Sequence, residues 1–166
     1  MHNNFVAAAF AQEMKDEYTS TRKCLERIPE SVYKYKPHPK SMEMGYLTLL
    51  VADIPLWIYE TIRTGEIDFE TYKPFELSTT QKMLDHFEDN FNKAVEILGK
   101  TTADELEENF SLKDHGKLLM SSSKKNSVSS SINHWVHHRG QLTVYMRMND
   151  ILVPSIYGPS ADEKGF

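Results

Sequence analysis

His134 and His138 are the residues of this chain whose type and spacing best suit chemistry, within the stretch Asn133-His134-Trp135-Val136-His137-His138-Arg139-Gly140-Gln141-Leu142. At roughly 100° of turn per residue they lie roughly 40° apart on an α-helix, one turn above the other. Two imidazoles stacked in that way can grip one divalent metal ion. On the same wheel Leu142, Tyr145 and Trp135 fall on their side while Arg139, Thr143 and Arg147 gather opposite, so the pair is expected on the buried face, with His137 at its edge. The plainer reading keeps both histidines as hydrogen-bonded core residues.

A second group with chemical capacity sits upstream, in Tyr46-Leu47-Thr48-Leu49-Leu50-Val51-Ala52-Asp53-Ile54-Pro55-Leu56-Trp57. Asp53 lies about 60° from the centre of an apolar stripe near Leu50, close enough to approach as a carboxylate ligand or to remain a solvated boundary residue. His86 has the acidic neighbours Asp85, Glu88 and Asp89 and reads as a surface residue. The lone cysteine, Cys24, can form no internal disulfide and reads as a small core residue in a reducing cytoplasm.

Four amphipathic helices must position these groups. Phe5, Val6, Phe10, Met14, Tyr18, Cys24, Leu25 and Ile28 recur at helical spacing over residues 4 to 28, with Asn4 available as the cap. Pro29, Pro37 and Pro39 mark a connection, with room for one helical turn just after Pro29. A second helix is expected from Ser41 or Met42 to Thr64, closed by Gly65 and kinked at Pro55. A third runs from about Thr79 to Leu98 behind a Ser78 cap, and the last from Ser127 to Asn149. Between them, Thr102 with Glu105 suggests a capping box, residues 109 to 120 an irregular strand pair around His115-Gly116, and residues 121 to 126 a flexible loop over a cavity mouth. The tail, Pro154 to Asp162, is expected to dock on the body.

The whole reads as one domain, 1 to 166, all-α, with 40% hydrophobic residues to fill a core. A net charge of −5 without a basic stripe argues against a nucleic-acid partner, and therefore against DNA repair. No apolar run approaches the ~20 residues that cross a bilayer, and the start Met1-His2-Asn3-Asn4 has no basic leader, so a cytoplasmic location without membrane contact is expected.

The run from His134 through Leu142, followed by Pro154-Ser155-Ile156-Tyr157-Gly158-Pro159-Ser160, is similar to the last helix and tail of the DinB/YfiT-like proteins. The resemblance extends through the helix carrying Asp53. It implies an up-down-down-up four-helix bundle, commonly a homodimer, in which three histidines hold nickel or zinc. Two of them match His134 and His138. The third belongs to a pattern of His, two residues, an acid, an apolar residue and proline, and aligning Asp53-Ile54-Pro55 on it puts Leu50 where that histidine stands. Leucine cannot coordinate, which leaves Asp53, or more remotely His115, as a replacement ligand. By resemblance the activity is that of a metal-dependent transferase or hydrolase on a small thiol-type substrate, with Gln141 or Tyr145 orienting the ligands. The alternative is a metal-free module that binds a small ligand in an apolar pocket around Leu50, Trp57 and Trp135.

Overall fold

The four long helices expected from apolar spacing are all present in the computed structural model, which describes residues 4–165. Helix α1 spans Phe5–Glu26, α2 Met44–Thr64 and α3 Thr80–Lys100; a short α4, Ala103–Glu107, precedes the long α5, Lys124–Met148. A single 3-10 turn, Glu30–Val32, follows Pro29.

Local chemistry accounts for most ends. Gly65 closes α2 in the left-handed region at φ 68°, where an L side chain is disfavoured. Thr102 and Glu105 form the expected capping box on α4. Other caps differ from expectation by a few residues. Thr79 rather than Ser78 caps α3, Ser123 caps α5, and neither Asn4 nor Ser41 makes a side-chain cap. Helix α3 runs through Gly99 to Lys100, and α2 continues through Pro55. At Gly45 a Cβ would come 2.7 Å from Leu77 and 2.9 Å from Tyr33, so glycine lets the start of α2 press on that connection.

The chain is mostly helical but not all-α. Strands β1 (Glu66–Asp68), β2 (Asn109–Asp114) and β3 (Lys117–Ser123) form a three-stranded sheet in the order β1-β2-β3. The β2–β3 hairpin turns at His115 and Gly116, both at positive φ, and is the expected strand pair. Strand β1 joins it in parallel, Ile67 opposite Leu112, and had no signal beyond three residues after Gly65. The serines expected in a flexible loop instead finish β3 and cap α5, because Lys124 is buried and anchors the junction, its Nζ on the Ile62 carbonyl and on Glu108.

The core lies between the long helices. Met14 and Leu25 of α1, Leu47, Ile54 and Ile58 of α2, Met83, Phe87 and Leu98 of α3, and Ile132, Trp135 and Leu142 of α5 are all buried. Trp135 sits 6.0 Å from Phe87 and 6.4 Å from Phe91, ring centre to ring centre, and Tyr18 stacks on the same pair. Removing such side chains from water contributes about 1.5–3 kcal/mol each. Among the described residues no helix is long and apolar enough to cross a membrane.

Helix α5 packs on α2 and on α1, so burial wraps round it. That overturns the expected faces. Arg139, placed opposite the histidines and outward, is buried against α1, where it pairs with Glu17 and bonds Ser20 and Thr21 at 3.0 Å. The tail docks there: Tyr157 Oη lies 2.8 Å from Arg139 and donates to Glu17 at 2.9 Å, while Glu163 bonds Arg27 and Asp162 bonds Arg147.

Candidate functional site

His134 and His138 come together as their spacing requires. Their Nε2 atoms are 2.6 Å apart, and His138 is buried while His134 stands exposed at the rim rather than in the buried face. At that distance one ring donates its proton to the other, so the two rings cannot both be charged there. Partial desolvation of the ring where it meets the protein, then His138 and His137, holds the His134 imidazole below its usual pKa. His138 Nδ1 is 2.7 Å from Gln141 Oε1, which fixes a proton on Nδ1. Tyr145 is not part of this arrangement; its hydroxyl reaches the Met42 carbonyl at 3.4 Å.

Asp53 faces a different set of partners. Its Oδ2 accepts from Tyr72 and, at 3.3 Å, from Trp57 Nε1, while Oδ1 is 2.8 Å from His86 Nε2. His86 is therefore no surface residue. It is half-buried on α3, stacked on Phe75 with ring centres 4.1 Å apart and within hydrogen-bond reach of Asn90. Burial, then the bond to Asp53, pushes the Tyr72 hydroxyl pKa up, so it keeps its proton and donates. Sequence reasoning missed His86 and Tyr72, because each approaches Asp53 from another segment. The one available signal was the aromatic crowding in residues 69 to 75.

These residues test the metal centre that the resemblance implies. A tetrahedral site needs donors converging at about 2.0–2.2 Å from one point, usually three from protein when catalytic. Here two nitrogens converge, Leu50 supplies no donor, and both Asp53 oxygens are engaged by Tyr72, Trp57 and His86. His115 sits on the exposed hairpin turn, paired with Asp114. Among the described residues no group of three or more His, Cys, Asp or Glu side chains is placed to hold a metal ion. The residues present do not fit a three-ligand centre.

They do shape cavities. One of about 260 Å³ is lined by Leu50, Trp57, Phe69, Tyr72 and Phe75 with Asp53 among them. The expected apolar pocket thus includes Leu50 and Trp57 but not Trp135, which lies wholly in the core. A smaller cavity of about 120 Å³ between sheet and helices has His134, Phe110, Met120 and Ser127 on its walls, and Trp57 again. Trp57 thus borders both. Its Nε1 is held at once by Asp53 and, at 3.1 Å, by the Tyr72 hydroxyl. Cys24 takes no part; burial pushes its thiol up to about 11, leaving it protonated and unreactive.

Comparison with known proteins gives consistent results. The model of the DinB family matches residues 1–164. The chain is 29% identical over 160 residues to the uncharacterised protein YrdA of Bacillus subtilis, covering 93% of this chain and 89% of that one. Among solved structures it resembles the DinB-like protein YjoA of Bacillus subtilis (TM-score 0.68, 22% identity, 88% of this chain and 96% of that one). It also resembles a DinB-like protein of Bacillus cereus ATCC 10987 (TM-score 0.67, 23% identity, 89% and 95%). At these identities the two structures speak for the fold.

Proposed function

Because the chain belongs to the DinB family, we propose that its one domain, a four-helix bundle of that family's up-down-down-up order, serves as a metal-free module that binds a small molecule. The site is the cavity between Leu50, Trp57 and Phe69, with Asp53 as its polar anchor. The observation that carries this reading is the placement of Asp53. The carboxylate best positioned in sequence to replace the missing histidine is held by Tyr72, Trp57 and His86 instead. A mostly apolar and aromatic lining with a few placed polar groups is the usual make-up of a small-ligand site.

A second reading keeps the family's chemistry: a metal-dependent transferase or hydrolase acting on a thiol-type substrate, with nickel or zinc on His134 and His138. It is supported by the convergence of the two Nε2 atoms and by the Gln141 bond, which keeps the His138 proton on Nδ1 so that its Nε2 carries the lone pair a metal would need in place of the His134 contact. The experiment that separates the two is elemental analysis of untagged protein with melting curves in the presence of nickel, of zinc and of a panel of small apolar compounds. The ligand-binding reading expects less than stoichiometric metal and a melting temperature raised by members of the panel. About one ion per chain, with a metal-dependent melting temperature abolished in His138→Ala, overturns it in favour of the second.

The homodimer is also part of the proposal. Strand β3 lies at the sheet edge with Leu118, Leu119 and Met120 exposed, a surface that association would cover. We place the protein's work in the cytoplasm, which its single unpaired cysteine supports.

A further inference from the structure

The cavity beside Asp53 has mostly aromatic walls, with Leu49, Leu50 and Pro74 between them. Tyr46, Trp57, Phe69, Tyr72 and Phe75 all contribute to it, and Asp53 is the one Asp, Glu, Lys, Arg or His among its lining residues. The Trp57 ring is inclined at 53° to Phe69 and at 64° to Tyr72, with centres 5.9 and 5.7 Å apart, so Trp57 covers the face of neither neighbour by parallel stacking. Such faces carry negative potential and attract a cation that has shed its water.

The carboxylate adds to that potential. Asp53 is 7% exposed. The Tyr72 hydroxyl and the Trp57 indole are neutral donors that orient one carboxylate oxygen, and His86 Nε2 holds the other at 2.8 Å. Among the described residues, the arginines that lie over rings sit on Tyr59 and Tyr157, not on the walls of this cavity.

We propose that the cavity beside Asp53 recognises an organic cation, an alkylated ammonium group whose apolar substituents fill the aromatic hollow while its charge faces Asp53. A bare metal ion or a strongly hydrated ammonium gains nothing from Leu50 and Phe69, and an anion meets Asp53. A neutral apolar molecule gains the walls but not the charge. This inference rests on the ligand-binding reading and narrows its ligand.

The test is calorimetric titration of the full chain with choline and, in parallel, with its neutral carbon isostere 3,3-dimethylbutanol. Choline is expected to bind about ten-fold more tightly or better, the scale of a desolvated cation–π contact. Asp53→Asn should bring the two probes toward parity. Should that variant fail to fold, Phe69→Ala and Tyr46→Ala, at positions 43% and 57% exposed, remove walls of the hollow without opening the core and should each weaken choline several-fold. Equal or tighter binding of the neutral isostere overturns the inference and leaves the ligand-binding reading standing. So does choline binding that both wall variants leave unchanged. Failure of both probes, while other compounds in the melting panel bind this cavity, removes the cation alone; failure of the whole panel removes the reading with it.

Discussion

His86 on α3 donates from Nε2 to Asp53 Oδ1 on α2 across 2.8 Å, a bond between residues 33 apart that ties two helices together behind the cavity. Both side chains are largely buried, 14% and 10% exposed. Removing His86 therefore leaves a carboxylate short of a donor in poor solvent. We expect His86→Ala to lower unfolding free energy by about 2 kcal/mol in urea titration, whereas His137→Ala, on the exposed edge of α5, stays within about 0.5 kcal/mol. Equal effects of the two would show that the Asp53 bond contributes nothing.

Arg139 is buried with Glu17, and Tyr157 closes over the pair from the tail. Truncating one member of a buried pair strands the other, at a cost of about 3–5 kcal/mol. Arg139→Ala is thus expected to be among the most damaging substitutions outside the apolar core. Tyr157→Phe, which keeps the ring and loses the two hydroxyl bonds, should cost about 1 kcal/mol. Denaturant midpoints for the two variants check the order.

Glu163 gives the tail a dependence on pH. Arg27, then the Ser155 backbone N–H, hold its carboxyl at about 2, below the ordinary 4.5. The docked chain therefore favours the ionised form, and its contribution is complete above about pH 4.5 and lost as pH falls through that window toward about 2. Melting temperature measured across the window should fall less steeply in Glu163→Gln than in the natural chain. Parallel curves would mean that the tail is not held through this residue.

Leu50→His tests what separates this chain from a three-histidine centre. Leu50 is half-buried on α2, so an imidazole can be accommodated there without emptying the core. The variant should acquire a melting temperature that rises with added zinc or nickel, while the natural chain shows none of that dependence. A metal response already present without the substitution would favour the metal-dependent reading.

How much of this was legible depended on sequence distance. The helices were, because apolar spacing in segments such as Met83, Phe87, Phe91 is a local signal. The Thr102/Glu105 box and Gly65 were legible for the same reason. His86 was not: its acidic neighbours in sequence point to solvent, while the partner that fixes it lies on another helix. Arg139 misled the wheel because a single inward face was assumed, whereas α5 touches α1 and α2 on different sides. The pairing of His134 with His138 followed from spacing alone, but which of them would be buried was set by neighbouring helices.

Trp57 borders two cavities, one lined also by Asp53 and the other by His134. Any tilt of the indole strains the hold of Asp53 and Tyr72 on the ring nitrogen. The side chain that touches both cavities is therefore pinned from one of them, and its freedom to adapt to an occupant of either is set by two bonds at a single nitrogen.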